Sequence, residues 1–179
     1  MKSALIAGLA ATALALPAFA ALKPGAKAPD FTAQAYQAGK PTSFSLAEAR
    51  KKGPVVVYFF PAADTAGCNL EARLFAEATD EFKANGATVI GVTAGNIAKL
   101  AAFSADTEKC SGKFPVAADP DAKIAKQYDA TLAVRPGWSS RTSYVISPTG
   151  EVLLAYDNLS PNDHVTQTLS AVKAYKAKK

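Results

Sequence analysis

Two residues of this 179-residue chain carry a thiol, Cys68 and Cys110, and one, His164, carries an imidazole. The surroundings of Cys68 say most about chemistry. It follows the run Val55-Val56-Val57-Tyr58-Phe59-Phe60 and then Pro61-Ala62-Ala63-Asp64-Thr65-Ala66-Gly67. The run is continuously apolar and rich in β-branched and aromatic residues, the composition of a central strand covered on both faces. Pro61 cannot donate to a sheet ladder and ends it. After Gly67, the residues Leu70, Leu74, Ala78 and Phe82 recur every four positions, a helix period. Cys68 is thereby expected at or next to a helix N-terminus, where backbone N–H groups lack partners and the dipole favours negative charge. A thiol so placed ionises more easily, and the thiolate is the reactive form.

A reactive cysteine also needs a way to place its substrate and a way back from the oxidised state. Thr65, three residues before Cys68, can turn its hydroxyl toward the sulfur. Arg141 opens a predicted hairpin strand that would lie beside the central strand. There its guanidinium would hold the thiolate ionised and hydrogen-bond a polar substrate oxygen; the bland alternative is a surface ion pair. Glu71 either orients an arginine or is an ordinary first-turn helix acid. Phe59, Phe60 and Trp138 could line a substrate mouth, although core packing explains the two phenylalanines better. His164 is expected to be an exposed surface histidine. Two cysteines and one distant histidine do not make a metal site, so no metal and no cofactor are expected.

These residues need elements to hold them. The segment 21–52 is punctuated by Gly25, Pro29, Gly39 and Pro41, which suggests turns and short edge pieces, and Ser45 with Glu48 has capping-box spacing. The long helix runs from about Cys68 to a stop at Asn85-Gly86. Thr88 to Thr93 forms a second strand, giving a parallel crossover. Asn96 to about Ala105 is helical, and Thr107 to Lys113, which contains Cys110, is a loop or frayed helix end. Phe114 to Ala118 is extended, and Asp119-Pro120-Asp121 turns into a helix from Ala122 to Tyr128. Leu132 to Ser140 is a loop. Thr142 to Ser147 and Glu151 to Tyr156 form an antiparallel hairpin around Pro148-Thr149-Gly150. Ser160 and Pro161 are placed as cap and first residue of the last helix. The order β-α-β-α, then β-β-α, predicts a thioredoxin-like α/β fold with a central mixed sheet flanked by helices.

The first twenty residues read as an export signal. Lys2 supplies the positive start, Ala4 to Leu16 the apolar core, and Pro17-Ala18-Phe19-Ala20 an Ala-x-Ala cleavage pattern. The domain expected after cleavage near Ala20 is 21–179, in the periplasm or otherwise outside the cytoplasm. The apolar run is too short for a membrane span of roughly 20 residues. The formal charge of +5 lies partly in the lysine-rich tail, with no aromatic-interleaved basic patch, so neither nucleic acid nor membrane is expected as a partner. In an oxidising compartment a Cys68–Cys110 disulfide is permitted, and a purely structural bridge is one reading of the pair.

Pro61-Ala62-Ala63-Asp64-Thr65-Ala66-Gly67-Cys68 fits the Pro-x-x-x-Thr-x-x-Cys motif of the peroxiredoxins, the AhpC/TSA family. Tyr58 to Pro61 and Asn69 to Ala72 resemble its bacterioferritin-comigratory, or Q-type, branch. So do Phe114-Pro115-Val116-Ala117-Ala118-Asp119-Pro120-Asp121 and the hairpin Arg141 to Gly150. The match covers most of the chain from Ala26 onward. The resemblance implies a thiol peroxidase that reduces hydrogen peroxide or organic hydroperoxides. Cys68 would be the peroxidatic cysteine. Thr65 and Arg141 would bind the peroxide, Pro61 would shield the sulfur, and Glu71 would brace the arginine. The resolving cysteine most common in this branch lies five residues after the peroxidatic one, where this chain has Arg73. Cys110 resembles the variant whose resolving cysteine sits near the helix after the second strand, closing an intramolecular disulfide. A thioredoxin-like protein reductant and a monomeric state are further implications. The rivals are a thiol–disulfide oxidoreductase of the same fold, for which the Cys-x-x-Cys pair is missing because Thr65 stands at the first position, and a non-catalytic domain with a structural Cys68–Cys110 bridge.

Overall fold

The computed structural model describes residues 21–178, and the expected export signal lies outside them. The chain opens with a hairpin, β1 (Thr32–Gln37) and β2 (Lys40–Ser45), and the short helix α1 (Leu46–Arg50). Then come β3 (Val55–Phe59), α2 (Ala66–Ala84), β4 (Thr88–Thr93), α3 (Leu100–Ala105), β5 (Val116–Ala118) and α4 (Lys123–Gln127). The hairpin β6 (Thr142–Ile146) and β7 (Val152–Asp157) and the helix α5 (His164–Ala177) complete it. One seven-stranded sheet runs in the order β2-β1-β5-β4-β3-β6-β7. β3 pairs in parallel with β4, and β4 with β5, while β6 pairs antiparallel with β3 and β7. This is the expected thioredoxin-like α/β fold with a mixed sheet. The opening segment contributes a full two-stranded edge rather than scattered pieces.

Period-two alternation along β3 builds both cores. Val55, Val57 and Phe59 join Phe44, Ile90, Tyr128 and Tyr144 on one face. Val56, Tyr58 and Phe60 join Phe75, Phe82, Phe103 and Val172 on the other. The second layer is aromatic at its centre: Tyr58 stacks on Phe75 with centroids 4.3 Å apart and on Phe60 at 5.4 Å. Gly91 opposite has no room for a side chain, since a Cβ there would stand 2.8 Å from the Tyr58 ring.

The expected caps form in part. Ser45 Oγ accepts from Glu48 N at 3.4 Å at the head of α1, and the Asp119 carboxylate accepts from Ile124 N and Ala125 N at the head of α4. Two expectations need correction. The buried face of α2 is Cys68, Glu71, Ala72, Phe75, Ala76, Thr79 and Phe82, whereas Leu70 is 41% exposed. A strict four-residue repeat drifts around the helix. The true stripe alternates steps of three and four, and it takes in Glu71 and Thr79 because each has a buried polar partner. Helix α5 begins at His164 with Asp163 as its cap, not at Ser160 and Pro161. Residues 158–160 are committed elsewhere: Ser160 N bonds Asn158 Oδ1, and Asn158 N bonds the Arg141 carbonyl.

Phe75 is fully buried between Tyr58 and Phe82, and it pins the middle of α2 to the sheet. Phe75→Ala is expected to lower stability by roughly 3–5 kcal/mol. Urea unfolding followed by circular dichroism should show an earlier midpoint at an unchanged slope.

Candidate active site

The loop after β3 is held on the neighbouring strand before it reaches Cys68. Phe60 N bonds Val92 O at 3.1 Å, and Thr93 Oγ1 donates to Pro61 O at 3.1 Å. Asn96 Nδ2 donates to Ala63 O at 2.8 Å. Pro61 is half-buried at the strand end. Thr65 is the N-cap of α2 with extended backbone, and Asn69 N closes the first helical turn on Thr65 O at 2.8 Å. Cys68 is therefore the third residue of the helix, among the amides that have no intrahelical acceptor, as the sequence led us to expect. The Thr65 hydroxyl donates to Ala62 O at 3.1 Å and makes no hydrogen bond to the sulfur.

Arg141 reaches the same place from the other side. The register of β6 on β3 sets Thr142 beside Phe59, so Arg141 stands where β3 gives way to the cysteine loop. It is not a surface ion pair: it is 6% exposed. Nη2 lies 3.5 Å from Cys68 Sγ, and Nη1 donates to Glu71 Oε2 and, at 3.4 Å, to Gly67 O. Nε donates to Leu159 O at 2.8 Å. Glu71 is thus an orienting acid. Gly67 has a steric role that its sequence position did not reveal, because a Cβ there would sit 3.0 Å from Arg141 Nη2.

His164 is not on the surface. It is fully buried, with Nδ1 2.8 Å from Ser143 Oγ and 3.6 Å from Glu71 Oε1. Burial pushes the Glu71 carboxyl up to about 8, against the pull of Arg141, and the same cause holds His164 below its ordinary value. His164 and Ser143 are the site residues that sequence reasoning missed. The available signal was Ser143, a lone serine inside a strand that is buried throughout, which calls for a polar partner.

Cys110 lies in the turns after α3, and both cysteines are free thiols in one apolar layer with Tyr58. Cys110 is fully buried, and burial raises its thiol well above the usual range. Its polar neighbours Lys109 and Ser111 are only half-buried. Lys109 Nζ bonds Asp64 Oδ1 at 2.7 Å and Asp106 Oδ2 at 2.9 Å, so an ion pair joins the loop before Cys68 to the turn before Cys110. The Tyr58 hydroxyl of the same layer is buried and without a hydrogen-bond partner among the described residues. Burial first, and then the nearby Cys110, Glu71 and Cys68, push its ionisation upward. The Arg135 guanidinium stacks on the Trp138 ring at 3.5 Å. Among the described residues no cluster of His, Cys, Asp and Glu could hold a metal ion.

Residues 24–155 match the model of the AhpC/TSA family. The chain is 31% identical over 159 residues to the chloroplastic peroxiredoxin Q of Sedum lineare, covering 88% of this chain and 82% of that one. It is 32% identical over 157 residues to its counterpart from Arabidopsis thaliana, covering 87% and 69%. Among solved structures it resembles the peroxidoxin BcpB of Mycobacterium tuberculosis, with a TM-score of 0.73 and 26% identity over 86% of this chain and 97% of that one. The reduced 2-Cys peroxiredoxin of Plasmodium vivax shares the fold, with a TM-score of 0.75 at 20% identity over 87% and 97%. The chain belongs to the AhpC/TSA family and is an oxidoreductase of the peroxiredoxin type.

Proposed function

We propose that the protein is an exported thiol peroxidase in which Cys68 reduces hydrogen peroxide or organic hydroperoxides and Cys110 resolves the oxidised product. The observation that carries this reading is the contact of Arg141 Nη2 with Cys68 Sγ at the head of a helix. The cation and the free amides favour the thiolate. The thiolate attacks the terminal peroxide oxygen. An S–O bond forms as the O–O bond breaks, the peroxide proton passes to the departing oxygen, which leaves as water or an alcohol, and the sulfenate left on Cys68 takes up a proton from solvent to become the sulfenic acid. Arg141 stabilises the charge that moves onto that oxygen, and Thr65 contributes its hydroxyl lone pairs and, after a rotation, its proton. Pro61 caps the pocket against bulk water.

The Cys110 thiol then attacks the sulfur of the sulfenic acid; the S–S bond forms as the S–O bond breaks, the thiol proton passes to the departing oxygen, and water leaves. Both sulfurs are buried, and a disulfide brings them to about 2 Å, so the first turn of α2 and the turn around Cys110 must open together. The Asp64–Lys109 pair joins these two segments and must part in that step. A thioredoxin-type dithiol protein returns the disulfide to two thiols.

Three measurements test this reading. One equivalent of hydrogen peroxide, added to the reduced protein and followed by mass spectrometry, should give a 68–110 disulfide. The Cys110→Ser variant should instead stop at a Cys68 sulfenate; a Cys68 that stays a thiol in both would sink the proposal. Gly67→Ala should leave the fold intact and lower kcat/KM for hydrogen peroxide about tenfold, because the new methyl group displaces the guanidinium from the sulfur. In a bacterial host the full chain should be recovered outside the cytoplasm with Ala21 as its first residue, and N-terminal sequencing that begins at Met1 would refute export.

A further inference from the structure

His164 is the single histidine of the chain, and both of its ring nitrogens are engaged. Nε2 lies 2.9 Å from the carbonyl oxygen of Asn158, which can only accept, so Nε2 carries a proton. In the neutral ring Nδ1 is then an acceptor. It faces Ser143 Oγ at 2.8 Å and Glu71 Oε1 at 3.6 Å. Glu71 Oε1 has no hydrogen-bond partner, while Oε2 takes Arg141 Nη1. With Nε2 protonated, the Ser143 hydroxyl donates to Nδ1 and fills its one lone pair, so Ser143 and Asn158 between them fix the ring beside Glu71.

Burial holds His164 below its ordinary value, in keeping with the neutral ring that these contacts require. The ionisable groups facing Glu71 and the ring are Arg141 at the head of β6, Tyr58 from β3, Asp157 from β7 and Asp163 before α5. The first route from His164 to the guanidinium is direct contact: the ring stands 3.6 Å from Glu71 Oε1 and backs the carboxyl that holds Nη1.

A second route runs through the backbone. The strap of residues 157–160 binds Arg141 twice: Asn158 N donates to the Arg141 carbonyl at 3.2 Å, and Leu159 O accepts from Nε at 2.8 Å. His164 Nε2 holds the carbonyl of Asn158 in that strap. We propose that His164 is a positioning residue for Arg141: its ring, fixed by Ser143, backs the Glu71 carboxyl, its Nε2 holds the Asn158–Leu159 strap, and the two contacts together aim Nη2 at Cys68. This rests on Cys68 being the reacting thiol.

The test uses reduced, untagged protein. In a Cys110→Ser background, His164→Leu is expected to move the onset of thiolate absorbance to higher pH and to lower the second-order rate with hydrogen peroxide about tenfold. His164→Asn, which keeps a polar group near the Nδ1 position, should restore part of both. A folded His164→Leu variant with the parent's thiolate midpoint overturns the proposal, whatever its melting temperature. If that variant does not fold, ¹⁵N-histidine NMR of the parent decides. The expected spectrum is one neutral ring protonated on Nε2, with an Nδ1 resonance that moves on Glu71→Gln. A ring protonated on Nδ1, or an Nδ1 resonance indifferent to Glu71→Gln, overturns it as well. A parent that consumes no peroxide would remove the peroxidase reading, while the thiolate and nitrogen spectra would still judge His164.

Discussion

A guanidinium enclosed almost completely beside a sulfur is the constraint on which this site depends. Taking such a charge out of water costs several kcal/mol unless its donors find acceptors. The fold supplies them from four separate places: the head of α2, its next turn, the strap before α5 and Cys68 itself. The β3–β6 register puts Arg141 within reach, Gly67 makes room for it, and Glu71 occupies a core position that an apolar side chain would otherwise fill. The polar cluster is tolerated inside the apolar layer only while all of these parts are present.

The enclosure around Cys68 works against the resolution proposed for Cys110. The two loops are joined by the Asp64–Lys109 pair, which is partly solvated and worth at most about 1 kcal/mol. Deeper in α2, Phe75 and Phe82 are fully buried, and freeing either would expose an aromatic side chain at roughly 1.5–3 kcal/mol. Unwinding confined to residues 66–70 would part Cys68 from Arg141 while the Glu71–Arg141 pair, Phe75 and Phe82 keep the helix body on the sheet, which is what the proposed resolution requires.

What could be read from the sequence is what local signals encode. The apolar run of β3, Pro61 and the helix after Gly67 each announce themselves within a few residues, and their order gives the sheet. Arg141 was placed through the strand order, one step further from local information. The burial of His164 was not legible. Ser160 and Pro161 form a strong local start signal, but Asn158 and Leu159 just before them bind the arginine, Ser160 N bonds Asn158 Oδ1, and α5 starts later with its first residue turned inward. The α2 stripe failed for a related reason. Glu71 reads as a surface acid unless its partner, seventy residues away, is known. Hydrophobic periodicity finds helices well, but it finds the wrong face when the buried side carries a charge.

The donor count of Arg141 explains why a lysine would not serve in its place. A guanidinium has five N–H bonds in a rigid fork. Nε is used on Leu159 O, the two of Nη1 on Glu71 Oε2 and Gly67 O, and one of Nη2 on Cys68 Sγ. The fifth, also on Nη2, has no acceptor among the described residues. It is held on the nitrogen nearest the sulfur, where the proposed attack would bring a peroxide oxygen. An ammonium has three donors on one point and could not satisfy the four acceptors that fix its position while keeping one free. The buried contacts of Arg141 therefore serve the one donor that is left over, orienting it in advance for a substrate too small to organise the site by its own binding.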